Sequence, residues 1–137
     1  MSSLLVLVLA TIGLTACEAE TAAIDNTAWV LLWYGEQGNL QAVLEGTEII
    51  ATFDSQDSQV TGSAGCNTYT GDYEAKKHDL SISTLARTEM ACVGPEGVME
   101  QEQQYLSALQ AAESYTIEDG ELRISSLGER VLIFRAK

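Results

Sequence analysis

The first 75 residues of this 137-residue chain contain no lysine or arginine, against ten aspartates and glutamates. All seven basic residues come later, and the net charge is −13. Such a chain repels nucleic acid and anionic lipid headgroups, which are bound by basic clusters. It suits a cationic partner, or plain solubility in salty surroundings. Histidine occurs once, as His78 beside Lys76 and Lys77. With no second histidine or nearby cysteine, it supports neither a zinc set nor a Ser-His-Asp triad and reads as a surface residue. No phosphate-binding glycine loop is present. Asp54 and Asp57 lack the glycine and distal glutamate of a calcium loop, so that stretch reads as a turn. No metal, cofactor or catalytic residue is therefore expected, and the chain reads as a non-enzyme. Proline also occurs once, and with near-average apolar and charged content this argues against disorder. The length fits one domain with a real core.

Long apolar runs are missing too. The longest, Leu4 to Leu14, covers about eleven residues where a membrane span needs about 20. That is the length of the apolar part of a signal peptide, although Met1-Ser2-Ser3 lacks the usual basic residue. Leu14-Thr15-Ala16-Cys17 resembles a bacterial lipobox. The resemblance implies cleavage after residue 16, lipidation of Cys17, and a membrane anchor of two or three acyl chains. Glu18 after the cysteine leans towards the outer rather than the inner membrane, with the chain facing the periplasm. Residues 17–25 read as a lipidated tether. The eight residues after Cys17 reach at most about 28 Å, so a domain beginning at residue 26 stays near its membrane.

Within the domain, Trp29 to Tyr34 is rich in strand formers and apolar on both faces. Leu40 to Leu44 is weakly extended, and Glu48 to Phe53 is a second good strand. Gly62 to Tyr73 alternates β-branched and aromatic residues at period two, which reads as one strand carrying glycines for a bulge or a close backbone approach. Asp79 to Ser83 alternates cleanly, Thr84 to Cys92 is mixed, and Glu96 to Ala112 has the only strong helical stripe, made by Val98, Tyr105, Leu106, Leu109 and Ala112. Glu102 falls on its apolar side, where it either reaches solvent or pairs with a base such as Arg87. Ser114 to Glu118 and Glu121 to Ser125 flank Asp119-Gly120, the strongest short hairpin signal in the chain. Val131 to Phe134 closes it. About eight short strands with one helix before the last three favour a mainly β fold, a closed or nearly closed antiparallel barrel.

The pairing of Gly65-Cys66-Asn67-x-Tyr69-x-Gly71 with Thr88-x-Met90-Ala91-Cys92, ahead of Met99-Glu100-Gln101-Glu102, resembles the META domain family, of HslJ-like kind and with lipoprotein relatives. The resemblance spans roughly residues 26 to 135. It implies a cracked β-barrel of lipocalin-like topology with one packed helix. It also implies an association with heat or envelope stress, tolerance of novobiocin-type antibiotics, and motility or virulence. It brings no catalytic residues, and Gly65, Asn67, Tyr69, Gly71, Thr88, Met90 and Glu102 read as architecture. With Cys17 taken by lipid, Cys66 and Cys92 form an even pair in an oxidising compartment. A disulfide there closes a loop of about 26 residues and stabilises by about 3.5 kcal/mol in the chain-entropy model; two free thiols or a redox-active pair are the alternatives. The expected partners are the membrane, through the lipid, and an envelope protein. The alternatives are a small apolar ligand within the barrel, lined by Trp29, Trp33, Phe53 and Tyr69, or a cationic enzyme such as lysozyme, inhibited by the acidic chain. The chain is expected to be a monomer.

Overall fold

Period-two alternation along this chain produces a ring of strands. The computed structural model describes residues 23–137; the expected leader (residues 1–16), Cys17 and most of the tether lie outside the described residues. The elements, in order, are β1 (Ala28–Glu36), β2 (Asn39–Ala42), β3 (Ile49–Asp54), β4 (Gln59–Ala64), β5 (Thr68–Lys76), β6 (Asp79–Arg87), α1 (Val98–Gln110), β7 (Ala112–Glu118), β8 (Glu121–Ser126) and β9 (Arg130–Ala136). From β3 to β9 each strand pairs antiparallel with the next. β1 takes β3 on one edge and β9 on the other, which closes eight strands into a barrel. β2 extends β1 beyond the end of β3.

The closure is uneven. β8 and β9 pair along their length, whereas β6 and β7 meet only at Asp79 and Ser114. α1 is tied to both sides of this crack. Gln110 Nε2 donates to the Ile82 carbonyl on β6, and Ser126 Oγ on β8 donates to the Ala108 carbonyl near the end of the helix. The Ala108 carbonyl, which also accepts from the Ala111 N–H at 3.2 Å, thereby gains a second donor at the helix end.

Inward and outward positions follow the sequence pattern. On β5, Tyr69, Gly71 and Tyr73 face in while Thr68, Thr70 and Asp72 face out. The interior is filled by large side chains with essentially no exposure, among them Phe53, Tyr105, Phe134, Leu109 and Leu122. Burial of each such side chain is worth about 1.5–3 kcal/mol. Edge-to-face aromatic pairs, Phe53 with Tyr73 at 5.0 Å and Tyr105 with Phe134 at 6.3 Å, fix how they fit. Asp119 (φ 52°) and Gly120 (φ 75°) form the expected tight hairpin turn.

Five local readings change. The Gly62–Tyr73 run is two strands, not one, which accounts for nine strands where about eight were expected. The chain turns a corner at residues 65–67, where Gly65 adopts φ 108°, a conformation closed to most side chains. Inward positions are even-numbered in β4 (Val60, Ala64) and odd-numbered in β5 (Tyr69, Gly71, Tyr73). The small residues 62–66 carry too little hydrophobic contrast to show that change of phase along the chain. β6 runs on to Arg87, past the expected end at Ser83, because a bulge opposite Thr70 and Asp72 restores its register. α1 begins at Val98, after Gly97 at φ 86°, so Glu96 lies outside it; Ala112 opens β7 instead of ending the helix. The folded part begins before residue 26: Ile24 is buried, its carbonyl accepts from Trp29 Nε1 at 2.8 Å, and Asp25 bridges to Phe53. Trp33, finally, is 45% exposed and does not face the interior that Trp29, Phe53 and Tyr69 help to fill.

Candidate functional site

The corner at residues 65–67 brings the quoted motif residues together. Gly65 turns the backbone so that two successive N–H groups, those of Cys66 and Asn67, point to the same side. Both donate to Glu102 Oε2 on α1, at 3.1 and 2.7 Å. Successive amides aimed in this way form a small anion-binding concavity, and its anion here is the protein's own carboxylate. Oε1 of Glu102 accepts from Asn67 Nδ2 and from the Arg87 guanidinium at 3.0 Å. Glu102 is 1% exposed, while the Arg87 side chain is 47% exposed. Of the two expectations for Glu102, pairing with Arg87 is therefore the one realised, and reaching past the edge to solvent is not.

Asn67 is the hub. It is fully buried, and its side chain spans Glu102 on one side and residues 88–90 on the other. Its Oδ1 accepts from Thr88 Oγ1 at 2.8 Å and from the Met90 backbone N–H at 2.6 Å, and its Nδ2 also donates to the Met90 carbonyl at 3.1 Å. One carboxamide thus satisfies both backbone groups of a residue in an irregular segment, a task open only to a side chain that is both donor and acceptor. Cys66 and Cys92 are joined by a disulfide, so the same segment is also held covalently. The consequence lies outside: Met90 is 60% exposed and Val93 wholly so, between the exposed acids Glu89 and Glu96. Apolar side chains stand in solvent on a backbone pinned from beneath.

Tyr69 and the glycines complete the support. Tyr69 Oη donates to the Ile50 carbonyl at 2.9 Å, so the 2.6 Å contact with Tyr105 Oη is donated by Tyr105. Burial pushes both phenols well above their ordinary value, which keeps these protons in place. At Gly62 a Cβ would lie 1.8 Å from that Ile50 oxygen, so only glycine lets β3 approach. Gly71 sits at the bulge against Leu85.

With this geometry in view, a comparison with known families is decisive: the META domain profile matches residues 22–137. The chain belongs to the META domain family. No curated protein matches it. Among solved structures, this META domain is similar to a protein from Burkholderia xenovorans determined by NMR, with a TM-score of 0.71 and 28% identity over 83% of each chain. A second NMR structure gives a TM-score of 0.62 at 19% identity, covering 82% of this chain and 90% of the other. A crystal structure of a DUF4847 family protein from Bacteroides vulgatus gives 0.57 at 17%, covering 82% and 93%. The last two show a shared fold alone.

Sequence reasoning missed Gln101. In the META domain it is 1% exposed, accepts from the Leu44 N–H at 2.8 Å and donates to Thr47 Oγ1 at 3.0 Å, pinning the β2–β3 loop as Glu102 pins the corner. A signal was present: Val98, Gln101, Tyr105 and Ala108 fall at helical spacing on the apolar stripe. His78 is exposed at the β5–β6 turn, as expected of a surface residue. Among the described residues no group of three or more metal-ligating side chains comes together.

Proposed function

We propose that this META domain protein is a non-enzymatic binding protein of the bacterial envelope, anchored by lipid at Cys17 and facing the periplasm, that engages a protein partner under heat or envelope stress or exposure to novobiocin-type antibiotics. The observation that carries the binding reading is the grip of Asn67 on both backbone groups of Met90. A loop already held in one shape loses little conformational freedom on docking, so its exposed apolar residues bind at low entropic cost. The partner's chemistry follows from the surroundings. Glu89 and Glu96 flank Met90 and Val93, and the net charge of −13 acts at longer range, so the matching surface is an apolar pocket on a cationic protein. A cationic enzyme of the lysozyme type fits that description. The interior, occupied by Phe53, Tyr105 and Phe134, lends no support to carriage of an apolar ligand.

The test is photo-crosslinking in cells from position 93, with the exposed Thr116 of β7 as control. Capture of a basic protein from position 93 but not 116, lost on Met90→Asp and weakened by salt, supports the reading. Equal capture from both positions, or an acidic partner indifferent to salt, refutes it. The anchor is checked separately: Cys17→Ala should release the protein from membranes and fail to restore stress tolerance in a deletion strain.

A further inference from the structure

A second surface, on the flank of α1 away from Glu102, has a different character and is independent of the loop. A groove of about 480 Å³ lies between α1 and the β1–β2 hairpin, bounded by β9. Its size falls in the range of small-molecule sites, about 300–1,000 Å³. Gln103 and Gln104 reach it from the helix, and Asn39 and Gln41 from β2, which makes four exposed carboxamides around one depression. Ser107 adds a hydroxyl, and Arg130 is fixed at the edge by donating from Nε to the Leu127 carbonyl at 2.9 Å and from Nη1 to Ser107 Oγ at 2.8 Å.

Tyr34 supplies the observation that points to a ligand. It is only 5% exposed and lines the groove. Every buried side-chain polar atom among the described residues has a hydrogen-bond partner. Among the described residues the Tyr34 hydroxyl has no hydrogen-bond partner, so it is not one of those enclosed atoms and opens into the groove it lines. Burial raises its pKa above the ordinary 10.0, and the phenol is therefore a neutral donor and acceptor in the lining of the depression.

The lining selects among ligand classes. An anion meets Glu36 and the field of a chain with net charge −13. A cation meets a single carboxylate, Glu36, whose cross-strand neighbour is Arg130. An apolar ligand would strip water from four carboxamides and offer them nothing in return, at a cost for each. A neutral molecule dense in hydroxyl groups has none of these conflicts. Each of its hydroxyls both donates and accepts, as do each carboxamide, Ser107 and Tyr34. We infer that this groove is a binding site for a neutral saccharide, with Tyr34 and Gln104 among its principal contacts.

The experiment uses the full chain, ¹⁵N-labelled, in a zwitterionic detergent without a sugar headgroup, titrated with tri-N-acetylchitotriose and with maltotriose. Expected are saturable NMR shifts of the Asn39, Gln41, Gln103 and Gln104 side-chain amides with at least one of the two, little altered by salt, while resonances at the Lys77–His78 turn stay still. Tyr34→Phe, which removes one unpaired hydroxyl and no packing, should weaken binding about fivefold, the worth of one ordinary hydrogen bond. Gln104→Ala, on the exposed face, should weaken it similarly without disturbing the rest of the spectrum. If neither saccharide produces saturable shifts at these amides, if binding vanishes in salt, or if Tyr34→Phe binds like the parent, the assignment is wrong. Val93→Asp should leave saccharide binding unchanged, which separates this site from the docking loop.

Discussion

Helix α1 carries five consecutive polar residues, Glu100 to Gln104, and treats them in two ways. Gln101 and Glu102 are 1% exposed and committed to internal partners across the fold, whereas Gln103 and Gln104 are exposed and line an open groove. Gln101 and Gln104 are chemically identical. One fixes the Leu44–Thr47 loop and the other faces water. Side-chain type therefore says little about role here; the angle around the helix decides it, because successive residues are turned by about 100°. A polar group on the inner flank must find partners or cost free energy, and one on the outer flank is at liberty to meet a ligand.

The contrast predicts a graded response. Glu102→Ala should be the most damaging, because the amides of Cys66 and Asn67 and the Asn67 side chain lose their acceptor together. The expected loss is about 3 kcal/mol, read from urea denaturation midpoints. Arg87 adds little of this, since it is half exposed and can be solvated once its partner is gone. Glu102→Gln, which keeps an acceptor oxygen and loses the charge, should cost about half as much. A loss below about 1 kcal/mol for Glu102→Ala would mean that the disulfide alone holds the corner.

Gln101→Ala should cost about 1.5 kcal/mol, the price of a partly buried Leu44 amide left without its acceptor. Faster hydrogen exchange at Leu44 should accompany it. The buried phenols of Tyr69 and Tyr105 supply a pH test of the same flank. Their folded pKa values lie above the unfolded value near 10, so their stabilisation is complete below pH 10 and is lost as pH rises from there towards the folded values. Each proton held only by the folded chain lowers stability by about 1.4 kcal/mol per pH unit in that window. Tyr105→Phe should flatten the alkaline limb by that slope, and an unchanged limb would place the linkage elsewhere. Smallest of all, Gln104→Ala should shift stability by no more than about 0.5 kcal/mol, its effect being confined to the groove.

Much of this was open to reading along the chain. Tyr69 and Tyr73 alternate with Thr68, Thr70 and Asp72 because neighbouring strand residues face opposite sides, and Asp119-Gly120 announces its turn through two residues that tolerate left-handed φ. Such signals are local, carried by residues a few positions apart. The corner at Gly65 was not legible, because residues 62–66 are all small and carry too little hydrophobic contrast to show the change of phase between β4 and β5. Gln101 escaped notice because a glutamine on an apolar stripe takes its meaning from Leu44 and Thr47, more than fifty residues away. Glu102 was narrowed to two fates, and only the folded chain chose between them.

By itself, the sequence determined the β-barrel class, the place of the helix before the last three strands, the family, and the residues that gather at the corner. It did so because strand period, helical stripe and turn chemistry are properties of adjacent residues. Tertiary structure alone decided that Asn67 grips Met90, that Trp33 faces water, and that Tyr34 opens with four carboxamides into one groove. Those outcomes depend on distances between segments remote in sequence, which closure of the barrel sets.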